Sequence, residues 1–103
     1  MSVRNTTLST TPANIYASSG NTVVSTMYFC NTDATARNLS LWVIPAPGLT
    51  ANATVIVYNN IQIASGDTFV VDMEKLVLGH DDQIKANIDS GTAMTATVSY
   101  VGI

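Results

Sequence analysis

Val, Ile, Leu and Tyr alternate with Ser, Thr and Asn through most of this chain. A period of two is the spacing of a strand, not of a helix face. Thr22-Val23-Val24-Ser25-Thr26-Met27-Tyr28-Phe29 and Thr95-Ala96-Thr97-Val98-Ser99-Tyr100-Val101 are the clearest runs. Each reads as a strand with a buried face and a neutral face. No stretch sustains the 3.6-residue period of an amphipathic helix. Turn-forming clusters break the alternation at strand-length intervals: Ser18-Ser19-Gly20-Asn21, Pro45-Ala46-Pro47-Gly48 and Asp89-Ser90-Gly91-Thr92. About eight short strands with such turns predict an all-β chain, a single β-sandwich of antiparallel strands with Greek-key or jelly-roll connections.

At 103 residues the chain is one domain, 1–103. Residues 1–10 are either a first strand or an N-terminal arm. Strict alternation in Thr22 to Cys30 puts Val24, Thr26, Tyr28 and Cys30 on one face and Val23, Ser25, Met27 and Phe29 on the other. Both sets contain large apolar groups, so this strand is expected to be central and covered twice. In Arg37 to Ile44, Leu39, Leu41 and Val43 point inward and Trp42 outward. Thr54 to Tyr58 reads as a strand ending in a turn at Asn59-Asn60. Ile61-x-Ile63-x-x-Gly66-Asp67 is echoed fifteen residues later by Leu76-x-Leu78-x-x-Asp81-Asp82. The pair reads as two corners where the chain crosses between sheets. Val24, Leu41, Ile63, Leu78, Ile84 and Val98 are the expected core. Cys30 has no partner for an intrachain disulfide and is expected to be a buried small apolar residue.

Charge is scarce: 4 Lys+Arg, 7 Asp+Glu and 1 His, for a net −3. Arg4, Arg37, Lys75 and Lys85 are scattered, which disfavours nucleic acid as a partner. His80 is the only base for a nucleophile pair, and it sits in the polar turn Gly79-His80-Asp81-Asp82. One His and one Cys cannot make a zinc site. Asp67, Asp81 and Asp82 lack the spacing of a calcium loop. No enzyme, metal or cofactor is expected. No apolar run approaches the roughly 20 residues of a membrane helix. The polar start Met1-Ser2-Val3-Arg4-Asn5 is unlike a secretory leader, so synthesis in a cytosol is expected and a membrane partner is not.

The order of features is itself informative. Gly20-Asn21-Thr22-Val23-Val24 enters a strand that ends Tyr28-Phe29-Cys30-Asn31-Thr32. Ile63-Ala64-Ser65-Gly66-Asp67-Thr68-Phe69 makes a corner, and the chain closes on Ser99-Tyr100-Val101-Gly102-Ile103. This order resembles the small single-domain β-sandwich virion structural proteins of tailed bacteriophages, of the decoration or accessory type. The second corner, Gly79-His80-Asp81-Asp82, is one residue longer than the family pattern. The resemblance implies a non-enzymatic structural protein of the virion, docking on the capsid as a decoration or cement protein after synthesis in the host cytoplasm. A tail, neck or baseplate accessory protein is the near alternative, and a host-surface sugar-binding module a more distant one. The expected partners are major capsid or tail proteins. A small domain with few charges is also expected to form a homo-oligomer, trimer first. Trp42, Arg4 and Asn5 are the expected contact residues, in an interface that is neutral, not ionic.

Overall fold

The computed structural model describes residues 2–46, 56–71 and 76–102, and the described residues form nine strands and no helix. They are β1 (Ser2–Leu8), β2 (Ala13–Ala17), β3 (Thr22–Asn31), β4 (Arg37–Ile44), β5 (Ile56–Ile63), β6 (Thr68–Val71), β7 (Leu76–Leu78), β8 (Gln83–Ile88) and β9 (Met94–Gly102). A front sheet runs β1-β9-β3, with β6 and β7 both paired to the far side of β3. A back sheet runs β2-β8-β4-β5.

The pairings are nested. β1 pairs with β9, β2 with β8, β3 with β6 and β7, and β4 with β5, all antiparallel. The chain is therefore one long hairpin ribbon. Rolling that ribbon adds two further ladders, β3 to β9 and β4 to β8, and these close the two sheets. Of the two connection schemes expected, this order is the jelly roll. The two echoed corners cross between sheets as expected, β5 to β6 and β7 to β8. They also share geometry. Asp67 N–H bonds Ala64 C=O at 3.0 Å and Asp82 N–H bonds Gly79 C=O at 3.2 Å. The third residue has positive φ in both, Gly66 at 79° and Asp81 at 68°, as a turn of this kind requires.

Val24, Leu41, Ile63, Leu78, Ile84 and Val98 all lie in the core, joined by Leu8, Ile15, Phe29, Leu39, Ile88 and Met94. Each such side chain contributes on the order of 1.5–3 kcal/mol when fully buried. Strict alternation fails in three strands: β2, at a bulge between Asn14 and Tyr16, and β3 and β5. A bulge between Val24 and Thr26 shifts the register of β3. Past it the inward residues are Met27 and Phe29, while Tyr28 and Cys30 turn outward, so the two faces assigned above exchange at Ser25. Leu39 and Leu41 are two positions apart in β4, while their partners in β5, Ile61 and Tyr58, are three apart. Asn60, at φ 56°, absorbs the extra residue. Asn59-Asn60 is thus a bulge inside a continuous strand, not the turn expected. The proposed strand start at Thr54 lies outside the described residues.

The doubly covered strand is β4, not β3. Ser40, Trp42 and Ile44 are buried on its outer side, as Leu39 and Leu41 are on its inner side. The choice left open for the N-terminus resolves as a strand, because residues 2–8 pair without interruption with residues 94–100.

Each end of β3 is pinned by a buried polar group. At its start, Thr22 Oγ1 bonds Tyr16 Oη (3.1 Å) and Ser18 Oγ (2.9 Å). At its end, Asn31 is fully buried. Its amide donates to Ile63 C=O (2.9 Å) and Thr35 C=O (3.0 Å) and accepts from Asp33 N–H (3.0 Å). Its backbone exchanges bonds with Asp67 C=O and Gly66 N–H, both 2.9 Å. The Cys30-Asn31-Thr32 strand end and the Gly66-Asp67 corner are therefore one hydrogen-bonded unit. Next to it, Arg37 Nε and Nη2 both reach Asp33 Oδ2 at 3.0 Å.

The Asp33 carboxyl is held below its ordinary range, chiefly by the Arg37 hydrogen bond and further by the Ala34 N–H, against an opposing desolvation. A lowered folded-state pKa stabilises above the ordinary carboxylate range and loses that contribution as pH falls through the lowered value. The melting-temperature gap between wild type and Arg37→Gln is therefore expected to be constant near neutrality and to close below about pH 4. Melts at stepped pH check this, and a gap that widens on acidification contradicts it.

Candidate docking face

The outer face of the front sheet can be read row by row from the strand register. Val77, Val23 and Val101 form one row across β7, β3 and β9. Thr26, Ser99 and Val3 form the next. Val70, Tyr28, Thr97 and Asn5 cross four strands, and so do Thr68, Cys30, Thr95 and Thr7. None of these residues is charged. Several are apolar and open to solvent: Val77 at 64%, Val3 at 61%, Tyr28 at 42%, Val70 at 41% and Val101 at 37%.

Apart from Arg4 on the edge strand β1, the described charges sit elsewhere. Asp33, Asp67, Asp81, Asp82 and Asp89 occupy the turns between strands, and His80 with them. Lys85 is on the outer side of the back sheet, and Arg37 is engaged with Asp33. Asp72, Glu74 and Lys75 lie outside the described residues. The face's hydroxyls are partly paired among themselves. Thr97 Oγ1 donates to Asn5 Oδ1 at 2.9 Å, and Ser25 Oγ donates to Ser99 C=O at 3.1 Å. Groups already satisfied laterally lose less when water is removed from above them. A neutral surface with exposed valines and pre-paired hydroxyls suits contact with another neutral protein surface.

The three expected contact residues do not come together. Asn5 is on this face and exposed. Arg4 is next to it on the edge strand, in the inward row opposite Val98, and exposed. Trp42 is on the other sheet and only 9% exposed. It occupies the outward alternation as expected, but the exposed anchor is corrected. An indole on a central strand is flanked on both sides, here by the cross-strand partners Lys85 and Ile56. Cys30 is corrected the other way. The bulge at Ser25 turns it outward, where it is half-buried between Thr95 and Thr68. Val3, Val70 and Val77 were not singled out in the sequence, and Tyr28 was placed on a covered face with Val24. Their alternation was visible, but the pairing that gathers them on one face was not.

The polar residues weighed for chemistry are dispersed. His80 Nδ1 accepts from Gly20 N–H at 3.0 Å, near the start of β3, while Cys30 is near its end. Asp67 is at the Asn31 end, and Asp81 and Asp82 are at the Ser18 end. Asp82 serves its own corner, accepting from Gly79 N–H and Ala46 N–H, both at 2.8 Å. Among the described residues no group of three His, Cys, Asp or Glu side chains converges. A cavity of about 220 Å³ between the sheets is lined mainly by Val24, Met27, Leu41, Val43, Tyr58 and Leu76, and no charged group is on its walls among the described residues.

No protein-family model, curated protein or solved structure matches the chain.

Proposed function

We propose that this chain is a non-enzymatic structural protein of a tailed-phage virion, docking on the capsid as a decoration or cement protein through the outer face of its front sheet. The observation that carries the reading is the charge-free face with its exposed valines and Tyr28. A jelly roll is also a frequent module of viral capsids, which supports the reading by analogy of fold alone. The ordered sequence features that resemble small phage virion proteins point the same way. The same face would serve a tail, neck or baseplate accessory protein, and copy number separates the two. Head decoration scales with the many capsid subunits, whereas a tail component follows the few-fold symmetry of the tail. For the sugar-binding alternative, the buried Trp42 is a poor stacking anchor, and the exposed Tyr28 is the aromatic on this face that could serve instead.

The test is to add purified protein back to particles that lack it. Thr97→Lys, in the middle of the face, is expected to weaken rebinding at least about tenfold, roughly 1.4 kcal/mol. Asn87→Lys, on the outer side of the back sheet, is expected to leave it unchanged. Wild-type rebinding is expected to vary little between low and moderate salt, because no ion pairs are being screened. Rebinding by Thr97→Lys equal to wild type, or wild-type rebinding abolished at moderate salt, refutes this docking face.

A further inference from the structure

We infer that the free edge of β1 pairs antiparallel with the β1 of a second copy, joining two front sheets into one continuous sheet around a two-fold axis at Asn5. A sheet edge presents unpaired N–H and C=O groups, and proteins normally disable such edges. Among the described residues the sandwich has four edges, and three carry disabling features. β2 is five residues long, follows Pro12 and has a bulge between Asn14 and Tyr16. β5 has two register shifts against β4 and a left-handed residue at Asn60. The β3 flank is divided between β6 and β7, of four and three residues. β1 has no bulge, no break and no shortening, and its one charge is the exposed Arg4. Its seven residues pair one for one with β9 without a register shift, and it contains no proline, glycine or lysine. Among the described residues, the backbone groups of β1 on the side away from β9 have no backbone partner.

The side chains favour a second copy as the occupant. The antiparallel alignment that matches all of residues 2–8 is centred on Asn5. It sets Val3 against Thr7 and Arg4 against Thr6, and it opposes no like charges directly. The two Arg4 side chains are diagonal neighbours, exposed to water, where ionic screening weakens their repulsion. Asn5 meets its own copy, and an amide is both donor and acceptor, so it is self-complementary. Val3, the second most exposed large apolar side chain described, gains a neighbour across the new ladder. An isologous contact of this kind closes as a dimer, in place of the three-fold arrangement expected from the sequence. The inference concerns the isolated protein and does not depend on the virion reading.

Cysteine trapping tests it by register. In a background carrying Cys30→Ser, Asn5→Cys places two thiols at directly opposed positions. Their Cα atoms are then about 4.5–5.5 Å apart, within disulfide range. Val3→Cys places them four residues out of register, roughly 13 Å apart, beyond reach. Under mild oxidation Asn5→Cys is expected to give mostly cross-linked dimer and Val3→Cys to remain monomeric on a non-reducing gel. Sedimentation of the Cys30→Ser protein itself is expected to show a dimer, which keeps the test valid if Asn5→Cys disturbs β1. Equal cross-linking at positions 3 and 5, or none at 5 together with a monomer in sedimentation, overturns the proposal.

Discussion

Asn31→Ala is expected to lower the stability of the folded chain by about 3 kcal/mol. Losing the amide removes two donors and one acceptor at a fully buried position. Ile63 C=O, Thr35 C=O and Asp33 N–H are left to find other partners. A buried group without one costs about 1–3 kcal/mol, and the three losses overlap because they share one site. For a domain of this size the corresponding fall in melting temperature is roughly 10–20 °C. Asn31→Asp has the same shape and is expected to be worse at neutral pH. A carboxylate has no donor for the two carbonyls and repels them. Its pKa should rise, so the damage is expected to lessen as pH falls below that raised value and the protonated acid donates to one carbonyl. Urea unfolding of the three proteins at neutral and acidic pH provides the measurement. A loss under about 0.5 kcal/mol for Asn31→Ala would show that the amide does not hold the corner.

Phe29→Ala and Tyr28→Ala, neighbours in sequence, are expected to behave oppositely. Phe29 is fully buried between the sheets. Its truncation removes a large apolar group and leaves a cavity, at about 3–5 kcal/mol. A loss of that size approaches the whole stability of a small domain, commonly 5–15 kcal/mol. Tyr28 stands on the outer face, and its truncation is expected to cost under about 1 kcal/mol. Uninterrupted alternation from Val24 predicts the reverse, since it places Tyr28 inside with Val24 and Phe29 outside. Chemical denaturation of the two variants therefore reads out the bulge at Ser25 directly. A larger loss at Tyr28 than at Phe29 would refute the register of β3.

The strands themselves were legible because a period of two survives any reasonable choice of ends. Val24, Leu41, Ile63, Leu78, Ile84 and Val98 reached the core from alternation and local turn chemistry alone. What the alternation could not reveal was a change of phase. One extra residue at Ser25 or Asn60 leaves composition and propensity untouched, yet reverses every side chain beyond it. The assignment of Tyr28, Cys30 and Phe29 to faces failed for that reason. Asn59-Asn60 looked like a turn because asparagine tolerates positive φ, which is also what a bulge needs. Trp42 was placed on the correct side of β4. Its burial depended on which strands flank β4, and strand order is a long-range property. The neutral face was foreshadowed by the scarcity of charge, but only the β1-β9-β3-β6 order gathers its residues on one surface.

The nesting of the ribbon also sets the order in which the chain can complete itself. β3 is made early in synthesis, but its neighbour in the front sheet is β9, the last strand described. β1 waits for the same strand. Until β9 emerges from the ribosome, the front sheet has no centre. Its early strands have only β6 and β7 for company, and apolar residues such as Phe29 and Leu8 lack part of their cover. Closing contacts so far apart along the chain is slow relative to local pairing. β9 thus acts as a keystone: the described strands commit to this fold only after it exists, and copies made only as far as β8 have no finished front face to present to one another.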